Sequence, residues 1–233
     1  MRQIVLDTET TGLDPAAGHR IIEIGCVELI DRRVSGNRFH KYLNPEREID
    51  RGAVDVHGLD LQFLADKPRF AEIAEEFLDF VRGCELIIHN APFDLAFLNA
   101  ELDRLDRQFG RLEEHCRIID TLELARSRHP GQRNSLDALC KRYGIDNRQR
   151  HLHGALLDAE ILARVYLVMT SGQIALGLDS DPVGTHSDIT AHERAKTRPR
   201  LKVAICPEQD LIAHQNFLKA IAEASGRCLW LER

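Results

Sequence analysis

Two acidic residues stand at the end of the first apolar segment of the chain. Asp7 and Glu9 directly follow the run Ile4-Val5-Leu6, which is typical of a short strand buried on both faces. Side chains two residues apart in a strand point to the same face, so these carboxylates would lie side by side. Like charges beside a low-dielectric core repel each other unless a cation neutralises them. The pair therefore indicates a cation site, although a solvated strand end with two acidic residues has the same pattern.

Two further acidic residues and a histidine occur at the starts of later predicted helices. Asp94 lies in the first turn of a helix that Pro92 opens after an apolar strand. Asp158 lies near the start of another helix, and His153 stands five residues before it. An aspartate in a first turn usually complements the helix dipole, and a single histidine is usually a surface or core residue. Only the combination of these residues indicates a functional site.

Such a set of side chains suits chemistry at a phosphate. Mg²⁺ and Mn²⁺ prefer oxygen ligands, and two such ions about 3.5–4 Å apart can activate water and stabilise a leaving oxygen. Imidazole changes its charge near neutral pH, so a histidine beside such a site can act as a general base. The six cysteines form no Cys-x-x-Cys pair, so a structural zinc site is not predicted.

The elements that must position these residues alternate between strand and helix over residues 1–175. Apolar runs predict strands at residues 20–30, 86–88 and 117–120, besides the first one. A polar turn around residues 31–37 predicts a hairpin into residues 38–43. Helical spacing predicts helices at residues 70–81, 92–105, 121–128, 135–143 and 155–169. This order indicates an α/β domain with a mixed β-sheet and flanking helices.

The chain changes character after residue 175. Residues 176–200 contain two prolines and few large apolar residues, so they are predicted to form a flexible linker. Residues 201–233 are predicted to contain a strand at 201–206 and a helix at 209–225 that Gly226 closes. So short a segment cannot build a stable core alone, and we expect it to dock on another chain.

Composition and charge limit the class of protein. No apolar run approaches the roughly 18 residues of a membrane span, and the N-terminus does not resemble a secretory signal. Isolated cysteines indicate a reduced, cytoplasmic protein. The net charge of −6 argues against binding nucleic acid through the general field. Residues 104–150 nevertheless carry eleven lysines and arginines against seven acidic residues. A solvated helix surface explains most of these cations equally well, but we expect two or three of the following seven to contact a strand: Arg126, Arg128, Arg133, Lys141, Arg142, Arg148 and Arg150.

The sequence around the acidic residues resembles the DEDD 3′→5′ exonucleases, in the DEDDh branch whose last motif carries histidine. The resemblance covers residues 1–175 and rests on four motifs: D-T-E-T-T-G at 7–12, H-N-A-P-F-D at 89–94, R-N-S-L-D-A-L-C at 133–140 and H-G-A-L-L-D at 153–158. It implies a ribonuclease H-like exonuclease fold and two divalent metal ions, Mg²⁺ or Mn²⁺.

The resemblance also implies roles for individual residues. Asp7, Glu9 and Asp158 would bind the metals directly, with Asp7 bridging them, and Asp94 would act largely through water. His153 would be the general base, and Gly154 would give its loop the freedom to bring the imidazole over the site.

The implied substrate is the 3′ end of a DNA strand. Asp7, Glu9 and Asp158 would contact it together with His57, which lies in the motif V-H-G at 56–58. A loop histidine without a function is the alternative for His57. Leu13 would either press on the terminal base or pack within its own loop.

Within this family, three segments are similar to the proofreading subunits of bacterial replicative polymerases: V-L-D-T-E-T-T-G at 5–12, V-H-G at 56–58 and C-L-W at 228–230. This similarity implies docking of residues 201–233 on the catalytic subunit of the polymerase, with Trp230 as an anchor. It also implies binding to the sliding clamp through a peptide that begins at Gln173 and ends at Leu178. Whether a small accessory subunit binds as well is left open.

Two other functions remain open at this point. The first is an exoribonuclease or oligoribonuclease of the same superfamily, which would trim RNA ends. The second is a non-catalytic adaptor that holds clamp and polymerase together. A complete set of carboxylates with His153 argues against an adaptor, which has no need for clustered charges.

Overall fold

The structure is a computed structural model that describes residues 1–105, 109–148, 152–171 and 207–228 together with Trp230. The chain divides into two compact units, Met1–Leu176 and Gly177–Arg233. The predicted linker at 176–200, the predicted strand at 201–206 and the segment from Gln173 to Leu178 lie outside the described residues. Within the described part of the chain, no helix has both the length and the apolarity that crossing a bilayer requires.

A five-stranded mixed sheet forms the centre of the first unit. Its strands are β1 (Arg2–Thr10), β2 (Ile21–Ile30), β3 (Arg33–Tyr42), β4 (Glu85–Ile88) and β5 (Arg117–Asp120). They lie in the order β3-β2-β1-β4-β5, so that β1 occupies the middle. β1 pairs antiparallel with β2 and parallel with β4. This arrangement confirms the predicted α/β class with a mixed sheet.

Helices flank the sheet in the first unit. In the second unit, the described residues form mainly one helix, the last in the chain order. The helices are α1 (Arg51–His57), α2 (Leu61–Leu64), α3 (Phe70–Val81), α4 (Ala91–Asp103), α5 (Leu112–His115), α6 (Thr121–Arg128), α7 (Leu136–Tyr143), α8 (Ala155–Thr170) and α9 (Glu208–Ser225). Sequence patterns predicted six of them. They missed α1, α2 and α5, which are at most seven residues long and are too short to show a helical period.

The core confirms that β1 is buried on both faces. Ile4 and Leu6 belong to an apolar cluster that includes the inner faces of α3 and α4. Val5, which points to the opposite face, belongs to a second cluster that includes residues of α8. The sheet therefore carries α3 and α4 on one side and α8 on the other, and its central strand ends at the two acidic residues.

The turn between β2 and β3 is shorter than the sequence predicted. Asp31 and Arg32 both have positive φ, 48° and 63°, as the two central residues of a type I′ hairpin require. Ser35 and Gly36, which were assigned to the turn, lie inside β3. The register shifts there between Val27 and Leu29 of β2, so Gly36 lies in a β-bulge.

A buried ion pair fixes α4 against the start of β2. Arg20 Nε donates to Glu101 Oε1 at 2.6 Å, and Nη2 donates to Oε2 at 2.7 Å. Glu101 is only 2% exposed, and the hydrogen bonds to Glu101 raise the pKa of Arg20. A bidentate pair of this kind fixes orientation as well as distance. The sequence did not reveal it, because the partners are 81 residues apart.

Gly25 of β2 allows α8 to approach the sheet closely. An added Cβ at Gly25 would lie 2.2 Å from the backbone nitrogen of Leu156 and 2.3 Å from the carbonyl carbon of Ala155. Gly25 is also the register partner of Asp7 on β1. The first turn of α8, which carries Asp158, therefore lies directly over β2 at the residue that pairs with Asp7.

Replacing Gly25 by alanine is expected to lower the free energy of unfolding by about 1–3 kcal/mol or more, because backbone atoms cannot yield as a flexible side chain can. Urea denaturation followed by circular dichroism would measure the change. Gly52→Ala is the control, because a Cβ there meets nothing within 4 Å. A Gly25→Ala protein as stable as Gly52→Ala would contradict the close approach.

Candidate active site

All the acidic residues singled out in the sequence line one cavity of about 660 Å³. Asp7 and Glu9 come from β1, Asp94 from the first turn of α4, and Asp158 from the first turn of α8. His153, two residues before α8, lines the same cavity. Three elements that are far apart in sequence therefore deliver their carboxylates to the carboxyl end of the central strand.

Glu9, His153 and Asp158 form a compact group of possible metal ligands. Each offers an atom that could bind a metal, and these atoms lie within 4.8 Å of one another. His153 Nδ1 is 3.2 Å from Asp158 Oδ2, and the imidazole side chain is 44% exposed whereas that of Asp158 is 3% exposed. The histidine thus lies at the solvent side of the group, where it can meet a substrate.

Gly154 does not play the role expected of it. Its φ is −155°, which is extended backbone that any residue adopts, and an added Cβ would meet nothing within 4 Å. The backbone nitrogen of His153 donates to the carbonyl of Val56 at 3.1 Å. This hydrogen bond joins the histidine loop to the end of α1.

Asp94 is one of the deeply buried acids of the cavity. It is 3% exposed, and Thr8 Oγ1 donates a hydrogen bond of 2.7 Å to its Oδ1. Burial raises the pKa of Asp94 to about 7 in spite of that hydrogen bond, and the nearby negative charge of Asp120 adds to the rise. A cation in the cavity would favour the ionised form, so this buried carboxyl fits a site for hard divalent ions.

Asp120 is a positioning residue that the sequence analysis missed. Its carboxylate caps α6 by accepting from the backbone nitrogen of Leu122 at 2.8 Å. It also accepts from the backbone nitrogens of Asn90 and Ala91, each at 3.2 Å. Asn90 has a φ of 68°, and these bonds hold that turn and the start of α4. An aspartate between the strand at 117–120 and the helix after it was the available signal.

His57 lines a second cavity, of about 500 Å³, that shares Thr8, Glu9 and Phe93 with the first. His57 Nδ1 accepts from the backbone nitrogen of Leu59 at 3.0 Å, which places the ring proton on Nε2. Nε2 is buried and has no hydrogen-bond partner among the described residues. Burial lowers the pKa of His57, so the neutral ring offers one N–H donor. Such a donor could serve a molecule in the cavity, and the binding role of His57 stays a prediction.

The walls of the second cavity are mostly apolar. They include Leu13, whose side chain is highly exposed, together with Ala53, Val56 and Phe93. The first cavity is acidic, so the two adjoining spaces offer different environments on either side of Glu9. Flat apolar rings fit the walls of the second cavity. Negatively charged groups fit the acidic first cavity only when cations are bound there.

Without metal ions, the raised pKa of Asp94 should make stability depend on pH. An unfolded aspartate titrates near pH 3.9, so between about pH 4 and 7 the folded state holds a proton that the unfolded state lacks. The stabilising contribution of the neutral carboxyl is present below about pH 4 and is lost as the pH rises through about 7. In EDTA, Asp94→Asn should therefore gain several degrees in melting temperature over wild type at pH 8 and much less at pH 5.

Differential scanning calorimetry across this pH range would test that expectation. Asp79→Asn, which changes an exposed aspartate of α3, should keep the wild-type pH dependence. Equal melting curves for wild type and Asp94→Asn at every pH would show that the carboxyl is not perturbed.

Comparison with known proteins agrees with this geometry. Residues 4–166 match the exonuclease family RNase_T. DNA polymerase III subunit epsilon of Salmonella typhimurium is 48% identical over 235 residues, which are 98% of this chain and 97% of that protein. The same subunit of Escherichia coli is 47% identical over 235 residues, with the same two coverages. That of Haemophilus influenzae is 49% identical over 247 residues, which cover 100% of this chain and 95% of the relative.

Solved structures share the fold. Exonuclease X in complex with 5′-overhanging duplex DNA has a TM-score of 0.59 at 28% identity, covering 73% of this chain and 93% of that one. Escherichia coli exonuclease I in complex with a dT13 oligonucleotide has a TM-score of 0.63 at 20% identity, covering 73% and 41%. The family match, the relatives that align over nearly the whole chain, and the shared fold all agree. The chain belongs to the RNase_T exonucleases and, within them, to the family of DNA polymerase III epsilon subunits.

Proposed function

We propose that this chain is a 3′→5′ exonuclease that removes mispaired nucleotides from the 3′ end of DNA as the proofreading subunit of DNA polymerase III. The observation that carries this function is the single cavity lined by Asp7, Glu9, Asp94, Asp158 and His153. Membership of the epsilon family supplies the polymerase context. The chemistry follows from the arrangement of these side chains.

The acidic residues would hold two divalent cations, Mg²⁺ or Mn²⁺. In this proposal Asp7, Glu9 and Asp158 would be the residues that hold the ions directly. Asp94 would contribute negative charge and act on the ions largely through water. Bound in this way, the ions supply activation of the attacking water and stabilisation of the leaving oxygen.

His153 is proposed as the general base. The contact of Nδ1 with Asp158 Oδ2 at 3.2 Å orients the ring, in the way that an acidic partner orients the histidine of other catalytic pairs. A proton on Nδ1 is then stabilised by Asp158, and Nε2 takes the proton of the attacking water. The 44% exposure of the side chain leaves room for the substrate beside the ring.

The terminal nucleotide is proposed to occupy the second cavity. Its base would lie against Phe93 and Val56 with Leu13 at the edge, and His57 Nε2 would donate to an oxygen of the terminal sugar. The terminal phosphate would then lie at Glu9, which both cavities share. A base enclosed in this way cannot remain paired, so a mispaired end, which costs less to unpair, enters more readily.

The second unit is proposed to dock on the catalytic alpha subunit of the polymerase through residues 201–233. Large apolar side chains are exposed on its described part, which is unusual for a surface without a partner: Leu211, Ile212, Phe217, Ile221 and Trp230. Trp230, at 78% exposure, is the proposed anchor. Tethering would raise the concentration of the nuclease at the primer end.

Other partners and the location of the protein are inferred from the sequence alone. The proposed sliding-clamp peptide, from Gln173 to Leu178, lies outside the described residues. A small accessory subunit is a further candidate partner. The cysteines among the described residues are buried and form no disulfide, which supports a reduced, cytoplasmic setting.

Two substitutions separate metal binding from proton transfer. His153→Ala should lower kcat on a mispaired primer by about 10²–10⁴-fold while Mn²⁺ binding, measured by calorimetry, is retained. Asp7→Ala should abolish nucleotide release and also the binding of the more tightly held ion. Loss of Mn²⁺ binding in His153→Ala would make the histidine a ligand and contradict its proposed role.

The same assay distinguishes the alternatives. An exoribonuclease would release nucleotides from RNA as fast as from DNA, and a pure adaptor would release none from either. Metal-dependent release of mononucleotides from mispaired DNA, faster than from paired DNA and absent in Asp7→Ala, is the result that we expect.

Docking should depend on exposed apolar residues of the second unit. Phe217→Ala and Trp230→Ala in the full chain are each expected to weaken binding to the alpha subunit at least about tenfold, as buried aromatic anchors do. Gln215→Ala, a polar change on the same helix, should bind as wild type. Surface plasmon resonance with the purified polymerase subunit would measure this, and three equal affinities would refute docking through this surface.

A further inference from the structure

The acidic cavity contains one arginine to which the reaction described above gives no role. Arg126 lies in the last turn of α6 and lines the cavity together with the acidic residues. It is the only lysine or arginine among the described residues that line this cavity. No hydrogen bond or ion pair joins its guanidinium to any residue in the described part of the chain. It is therefore a cation that the fold itself does not use.

The loop that follows α6 is fixed, and it brings a second polar side chain to the same wall. Asn134 Nδ2 donates to the carbonyls of His129 and Gln132, at 3.2 and 3.1 Å. Asn134 Oδ1 accepts from Arg142 Nη1 at 3.1 Å, which ties the loop to α7. Gln132 consequently lines the cavity from a braced backbone, and its exposed side-chain amide can donate to an oxygen.

Electrostatics explains why a cation is useful at this wall. Five acidic residues line the cavity and repel an approaching phosphate backbone, and bound metals would offset that repulsion only at the scissile phosphate. The chain as a whole carries a net charge of −6, so its general field gives no help. A phosphate one or more nucleotides from the 3′ end needs a local donor, and arginine matches phosphate oxygens well.

We propose that Arg126 and Gln132 form a subsite for a phosphate of the DNA strand upstream of the scissile bond. The proposal rests on the exonuclease function and deepens it by naming the residues that hold the rest of the strand. Arg126 is a binding and positioning residue here, since it does not touch the reacting atoms. The subsite makes productive binding depend on strand length, because a single nucleotide cannot reach it.

Arg128 is a matched control, since it has the same charge, exposure and helix turn as Arg126 but does not line the cavity. Both arginines are exposed, and both lie in the last turn of α6, where a cation stabilises the helix dipole. Only Arg126 lines the cavity. Any difference between Arg126→Gln and Arg128→Gln therefore reports the cavity and not the helix.

The experiment compares two substrates on the full chain with Mn²⁺. One is a single-stranded oligonucleotide, and the other is the p-nitrophenyl ester of thymidine 5′-monophosphate, which has one nucleotide and no upstream phosphate. Arg126→Gln should raise KM for the oligonucleotide about tenfold with kcat nearly unchanged. The slope of log(kcat/KM) against log[NaCl] should become shallower by about 0.7, as loss of one contact to a single strand requires. Ester hydrolysis should not change.

Each outcome decides the proposal. Arg128→Gln should match wild type on both substrates, and Arg126→Lys should restore most of the salt slope. An Arg126→Gln protein that equals Arg128→Gln, or that slows ester and oligonucleotide alike, would overturn the subsite while leaving the exonuclease intact. A wild-type chain that cleaves neither substrate would instead overturn the exonuclease function, and the subsite with it.

Discussion

The close approach of α8 to the backbone of β2 is the contact on which the active site depends. A glycine at position 25 lets Ala155 and Leu156 lie where a Cβ would otherwise stand. Because Gly25 pairs with Asp7 in the sheet, the first turn of α8 arrives beside the acidic end of β1. Asp158 and His153 then reach Glu9, and a site assembled from remote parts of the chain becomes a single cavity.

Bringing several carboxylates into one cavity costs electrostatic free energy, and residues next to the cavity respond to that cost. Asp94 is held by Thr8 and enclosed by the core, and its pKa rises because burial penalises the charged form. Asp120 adds negative charge nearby while its backbone contacts fix the start of α4. Stability is therefore given up at the site so that cations can be bound there, as is common where activity requires strained electrostatics.

Periodic patterns and short motifs in the sequence predicted much of this architecture. The strand that ends at Asp7 and the helices α3 and α8 were predictable, because each repeats apolar residues at its own period. The acidic motifs were predictable as a set, and the cavity brings them together. A buried strand next to a helix start also indicated where Asp94 would be, since Pro92 marks that start.

Features that depend on distant partners could not be predicted. Nothing in the local sequence indicated that Gly25 would meet α8 or that Arg20 would pair with Glu101. The hairpin turn was predicted too long because Asp31 and Arg32 adopt left-handed conformations that are more typical of the Ser35-Gly36 pair. Short helices such as α1, which carries His57, have no period to detect.

The most direct test of the central claim is the anomalous scattering of a crystal grown with Mn²⁺ and thymidine 5′-monophosphate. Two peaks about 3.5–4 Å apart, bounded by Asp7, Glu9 and Asp158, are predicted, whereas peaks elsewhere or none at these carboxylates would contradict it.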